Sequence, residues 1–316
     1  MKPQGKQKIQ IDQGEHMGPE LKYQRFVVRK PLYEAVYGAK NRQSPSMTFL
    51  SSRQVPEANC YLQLGWIYGI PQPNPHISEH VHDYDEILVH WGGDPKKPQD
   101  LGAEIGFSLG GQKIIFNTTT CIFIPGGTPH GPPIWNEFRF PHVLMSLVIG
   151  TGSLPVETKV ASVAPEDNNF DYEQYVVRSP LREAGRGYYK SGRQCPTMTY
   201  LSEDQVNAAK YYLEFGWIWG IVEPNIGEMV HNRADEIVLH LGGDSQNPED
   251  LGADLEIGIG GELFRVNTSN AAFIPRGLRH GPLTWRKVRK PHIEMAIMLG
   301  GGSFKEGWGD AFLDKK

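Results

Sequence analysis

Cysteine is scarce in this chain: only Cys60, Cys121 and Cys195 occur among 316 residues, and their odd number and wide spacing exclude a disulfide framework. Buried, reduced thiols are expected instead. Long apolar runs are also missing, with nothing near the roughly 18 residues that a membrane-spanning helix requires, so no membrane partner is expected. Residues 1–21 form a polar tail without the apolar stretch of a secretory signal, which predicts a cytoplasmic protein. A strong excess of charge is absent too. The net charge is −4, and no basic stripe interleaved with aromatics is present, so nucleic acid is not expected as a partner.

What is abundant is turn chemistry. The 36 glycines and 24 prolines punctuate many short runs rich in Val, Ile, Phe, Tyr and Trp, as in an all-β chain. Such runs are Tyr61 to Leu64, Glu86 to Trp91, Ile105 to Leu109, Lys113 to Phe116, Cys121 to Ile124 and His142 to Ile149. Gly92-Gly93-Asp94 and Gly110-Gly111 are expected to supply the positive φ angles of tight hairpins. The stretches Leu32 to Ala39 and Leu181 to Gly185 read as a short helix or an arm.

The chain also states itself twice. Arg42-Gln43, Pro45, Met47-Thr48 and Gly65-Trp66-Ile67 return 151 positions later as Arg193-Gln194, Pro196, Met198-Thr199 and Gly216-Trp217-Ile218. Asp85-Glu86-Ile87, His90, Gly92-Gly93-Asp94 and Asp100-Leu101-Gly102-Ala103 return 150 positions later, beginning at Asp235. A unit this long is a duplicated domain rather than a solenoid repeat. The predicted organisation is an N-terminal tail over 1–21, one barrel over 22–152, a polar linker over 153–171, a second barrel over 172–302 and a tail over 303–316. That last tail reads as a terminal helix or a disordered end.

Metal-ligand chemistry concentrates in the first unit. His80-Val81-His82 puts two imidazoles at period two, on one face of a strand, and Glu86 follows at even spacing. His130 is a fourth candidate, beyond the turn Pro125-Gly126-Gly127-Thr128-Pro129. Three neutral imidazoles and one carboxylate suit a divalent first-row ion and leave positions open for water or substrate. In the second unit Met229 stands where His80 should recur, and His231, Glu236 and His280 remain. They form either a two-histidine, one-carboxylate triad or a degenerate scaffold.

The pattern His-x-His-x3-Glu, with Gly93 after it, and the later Pro-x-Gly-x-x-His resemble the two signature motifs of the cupin superfamily. The first motif departs from the family pattern at Asn74, usually Gly, and the second at Ile134, usually Asn; neither is a ligand position. The resemblance covers nearly the whole chain and implies a bicupin: two double-stranded β-helix (jelly-roll) barrels with a resident divalent metal, Mn²⁺ or Fe²⁺ preferred and Zn²⁺, Co²⁺ or Ni²⁺ admissible. Cupin barrels host dioxygenases, isomerases, decarboxylases, hydrolases and non-catalytic binders, so the site must choose. The paired Gly-Trp-Ile, Asp-Glu-Ile and Gly-Gly-Asp blocks resemble bicupins of anaerobic aromatic catabolism, such as the Mn²⁺-dependent dihydrophloroglucinol cyclohydrolases. That implies hydrolytic C–C cleavage of a small cyclic 1,3-dicarbonyl, ahead of an O2-dependent dioxygenase and a non-catalytic ligand-binding bicupin.

Other residues carry weaker signals. His76 sits in the loop Asn74-Pro75-His76 that the second unit shortens, so it is a candidate catalytic acid or base, with solvent exposure as the competing reading. Arg276 and Arg279 flank His280 and are candidates for binding an anionic substrate, or simply solvated turn residues. His90, His142, His240 and His292 fit core hydrogen bonding, and Trp66, Tyr68, Trp217 and Trp219 fit the core or a subunit interface. A small-molecule substrate is the expected partner, and a homo-oligomer is left open.

Overall fold

A computed structural model describes residues 21–154, 158–159, 170–183 and 191–313. Each unit folds into one large and one small antiparallel sheet. In the first, Thr120–Ile124, Asp85–Gly92, His142–Ile149, Cys60–Gln72 and Met47–Leu50 are successive neighbours, and Ile134–Phe138, Asp100–Leu109 and Gln112–Thr118 form the second layer. The second unit repeats this with Asn270–Ile274, Asp235–Gly242, His292–Leu299 and Tyr211–Glu223 against a layer of Glu262–Thr268, Asp250–Ile259 and His280–Val288. The registers correspond too, with Leu144 opposite Gly65 and Glu294 opposite Gly216.

All six runs expected as strands lie within strands. The stretch at Leu32 is an arm and not a helix: Leu32–Tyr33 pairs with Met47–Leu50, and Leu181 bridges Thr199. The end of that second stretch, from residue 184, falls outside the described residues, as do the tail over 1–20 and most of the linker. Gly110 and Gly111 do have positive φ, at 56° and 81°. Gly92 and Gly93 do not, and close approach explains them instead: a Cβ on Gly92 would lie 1.9 Å from the carbonyl oxygen of Asp100. Cys60 and Cys121 are buried as expected, whereas Cys195 is exposed. Trp66 and Trp217 are core residues, but Trp219 faces solvent.

The units exchange their entry segments. Val27–Val28 of the first unit pairs with Asn270–Ile274 of the second, and Val176–Val177 of the second pairs with Thr120–Ile124 of the first. Tyr23 rides over Gly260 and Tyr172 over Gly110. The backbone amides of Lys22 and Tyr23 both donate to the Glu262 carboxylate, and the amide of Tyr172 donates to Gln112. The barrels therefore share apolar core, where Trp91 meets Phe215 at 5.8 Å between ring centroids. Fully burying side chains of this kind contributes about 1.5–3 kcal/mol each.

Candidate metal centre

The first site is assembled by two short backbone pairings. His80 and His130 exchange amide-to-carbonyl bonds of 3.0 and 2.9 Å, which brings their ring centroids to 4.2 Å. The turn before His130 is anchored by Gly127, whose amide donates to the carbonyl of His82 at 2.7 Å with φ at 81°. His82 lies just beyond His80–Val81, and Glu86 opens Asp85–Gly92 after a two-residue bend, so residues on separate strands reach one point. The candidate ligand atoms of His80, His82, Glu86 and His130 all lie within 4.8 Å of one another, and all four residues are buried.

Hydrogen bonds fix the imidazole tautomers. Nδ1 of His80, His82 and His130 faces the carbonyls of Ser78, Tyr84 and Thr128 at 3.0, 2.8 and 2.8 Å. A carbonyl only accepts, so each Nδ1 carries the proton and each Nε2 turns a lone pair inward. Glu86 Oε2 lies 3.2 Å from Nε2 of both His82 and His130, while Ser146 donates to Oε1 at 2.5 Å. Burial opposes ionisation of Glu86, and the Ser146 hydroxyl that donates to Oε1 favours the carboxylate. Converging lone pairs and a buried carboxylate without protons between them repel one another unless a cation sits among them. The donor set therefore fits a divalent metal.

Above these ligands lies a cavity of about 490 Å³. His76, the candidate acid or base, is on its wall, and so is Arg42, which the sequence reading used only as a marker of the repeat. Arg42 donates from Nη1 to Nε2 of His76, and its guanidinium stacks on the Tyr37 ring at 3.4 Å. Burial, then the Arg42 charge, pushes the pKa of His76 down to about 4. A neutral imidazole whose lone pair is engaged offers neither a proton nor a free base at neutral pH. His76 therefore stands on the cavity wall as the hydrogen-bond partner of Arg42.

The second site brings together His231, Glu236 and His280, again buried and within 4.8 Å. Nε2 of His231 and His280 approach Glu236 Oε2 at 3.3 and 2.8 Å. Met229 sits buried in the place of His80, exchanging backbone bonds with His280. The C-terminal segment covers this site. Helix Phe304–Trp308 presents the carbonyl of Gly307 to His231 Nδ1 at 2.7 Å and sets Trp308 edge-on to the His231 ring.

Arg276 and Arg279 are exposed and paired with Asp235 and Glu228. His142 and His292 are buried acceptors for Trp135 Nε1 and Trp285 Nε1 at 3.0 and 2.9 Å. His90 and His240 are equally buried between the layers.

The chain matches no protein-family model and no curated protein sequence. Solved structures do match its architecture. A deletion mutant of the oxalate decarboxylase OxdC from Bacillus subtilis is 9% identical with a TM-score of 0.52, covering 82% of this chain and 73% of that one. Another structure of the same enzyme, described for its Mn(II) centres, is 10% identical with a TM-score of 0.51, over 86% and 80%. AerE from Microcystis aeruginosa is 13% identical with a TM-score of 0.50, over 87% and 98%. At such identities the likeness concerns fold alone. Together with two tandem barrels and paired histidine-carboxylate clusters, it makes the chain a bicupin in fold.

Proposed function

We propose that the chain is a metal-dependent bicupin enzyme whose first barrel holds a divalent ion, Mn²⁺ or Fe²⁺ preferred, on His80, His82, Glu86 and His130. The observation that carries this reading is the convergence of three inward Nε2 lone pairs and one carboxylate beneath a cavity of small-metabolite size. The reaction we propose is hydrolytic cleavage of a C–C bond in a small cyclic 1,3-dicarbonyl. Water adds across that bond: hydroxyl joins the carbonyl carbon to give a carboxylic acid, and hydrogen joins the departing carbon, which opens the ring. Bound by His80, His82, Glu86 and His130, the ion would supply Lewis acidity to this reaction.

The protein's own groups orient and enclose. Ser146 holds one oxygen of Glu86, leaving the other directed at the histidines. Leu88, Phe107 and Leu144 make the cavity walls apolar, which strengthens every polar contact made inside. The test is turnover of cyclohexane-1,3-dione and related cyclic diketones by metal-loaded protein under strict anaerobiosis. The expected product is heavier than the substrate by one water, and His82→Ala or Glu86→Ala should lose both the metal, by elemental analysis, and the activity. A strict requirement for dioxygen would replace hydrolysis by dioxygenase chemistry. Tight binding without turnover under any metal would leave a binding module.

A further inference from the structure

The two barrels place the same arginine in the same position and treat its charge differently. Arg42 is in register with Ile67, and Arg193 is in register with Ile218. In the second barrel Arg193 is buried and lies 3.1 Å, Nη2 to Oε2, from the equally buried Glu294. Glu294 is also near enough to Glu236 of the second centre for their charges to repel. Position 294 corresponds to position 144 of the first barrel, where the residue is Leu. Glu214, next to this pair, likewise corresponds to Gln63.

The first barrel therefore keeps the cation and omits the anion. Among the described residues no carboxylate stands within ion-pair distance of Arg42, whose Nε is shut from solvent without a hydrogen-bond partner. Its side chain is nonetheless held in place, stacked on Tyr37 and bonded to His76 on the cavity wall. A desolvated cation without a counter-charge is costly, and an oriented one is a ready donor to a paired-oxygen anion. Leu144, at the position of Glu294, is on the wall of the same cavity and brings no counter-charge to it.

We propose that the first cavity takes a small organic monoanion whose charge is spread over a pair of oxygens, and that Arg42, positioned by His76 and Tyr37, is the specificity-determining residue that binds it; Glu294 is the built-in counterpart of this ligand in the second barrel. The inference rests on the first-barrel metal centre as the reacting group of a cavity whose wall also carries Arg42. A carboxylate and the enolate of a 1,3-dicarbonyl share this chemistry, since the enolate is a carboxylate extended through a C=C bond.

The experiment measures calorimetric binding of cyclohexane-1,3-dione as its enolate, of cyclohexanecarboxylate, and of neutral cyclohexanone, with metal content determined on each sample. Arg42→Gln is expected to weaken binding of at least one anion about tenfold or more and to leave cyclohexanone unchanged; which anion responds identifies the source. Leu144→Glu, which installs the carboxylate of the second barrel, is expected to abolish anion binding with metal retained, whereas Leu144→Gln, of similar size but uncharged, weakens it less. Anion binding insensitive to Arg42→Gln, or an equal loss for the neutral ketone, overturns the proposal. Equal effects of Leu144→Glu and Leu144→Gln overturn it as well, and that pair decides the matter if Arg42→Gln does not fold. Wild-type protein that binds anions through Arg42 but holds no metal would refute the metal reading and leave this one standing. Metal-loaded protein indifferent to Arg42 would do the reverse.

Discussion

At the scale of single residues, the same side chain does unlike work according to the partner that its strand register supplies. His82 and His142 are both buried, yet His82 turns Nε2 toward a carboxylate while His142 accepts from Trp135 between the layers. Burial pushes the pKa of His142 down to about 3 from the usual 6.5. Below pH 6.5 the unfolded chain therefore takes up a proton that the folded chain refuses, and stability falls as pH falls toward the folded pKa. In urea unfolding, His142→Gln, whose amide oxygen still accepts from Trp135, is expected to lose less stability than wild type between pH 7 and pH 5. The difference should be about 2 kcal/mol. Identical pH dependence in the two proteins would contradict a neutral, buried His142.

Elements impose a different constraint. The entry segments, Gln24–Phe26 with Val27–Val28 and Tyr172–Tyr175 with Val176–Val177, each complete the other unit's large sheet. Their fit depends on glycine. At Gly110, φ is 56° and a Cβ would come within 2.0 Å of the Tyr172 ring, so Gly110→Ala adds backbone strain and pushes the segment off the first barrel. A loss of about 2 kcal/mol or more is expected in denaturant unfolding, and a Tyr172→Ala background should remove the part due to the clash. If Gly110→Ala costs the same in both backgrounds, the segment does not pack as described.

For the whole molecule, duplication followed by divergence gives two barrels with one architecture and unequal sites. Met229 stands where His80 would recur, Glu294 pairs with Arg193, and the C-terminal helix lies across His231. Activity is accordingly expected to depend on the first barrel. His130→Ala should abolish turnover and metal binding while the protein stays folded. His280→Ala, at the equivalent position, should leave most activity and cost mainly stability, about 1–2 kcal/mol. Rate, metal content and melting temperature measured side by side decide this, and equal loss of activity in the two variants would make the second barrel catalytic.

The strands, their pairing into barrels and the ligand-bearing motifs were legible along the chain, because alternation and duplication are local or periodic signals that survive without coordinates. His80, His82, Glu86 and His130 could be picked out for that reason, and they do converge. The exchange of entry segments could not be read, since a two-residue strand such as Val27–Val28 carries no mark of the sheet it will join. Arg42 was visible in the repeat but its setting was not: what differs is the residue on the far side of the shared strand, Leu144 beyond Cys60–Gln72 in one unit and Glu294 beyond Tyr211–Glu223 in the other. His76 shows the same limit: the sequence offered it as an acid or base or as a solvent-exposed loop residue, and neither reading contained the guanidinium that engages its lone pair. Residue type and spacing determined what chemistry was possible, whereas burial and long-range juxtaposition decided which charges are paired, and those depend on neighbours many strands away.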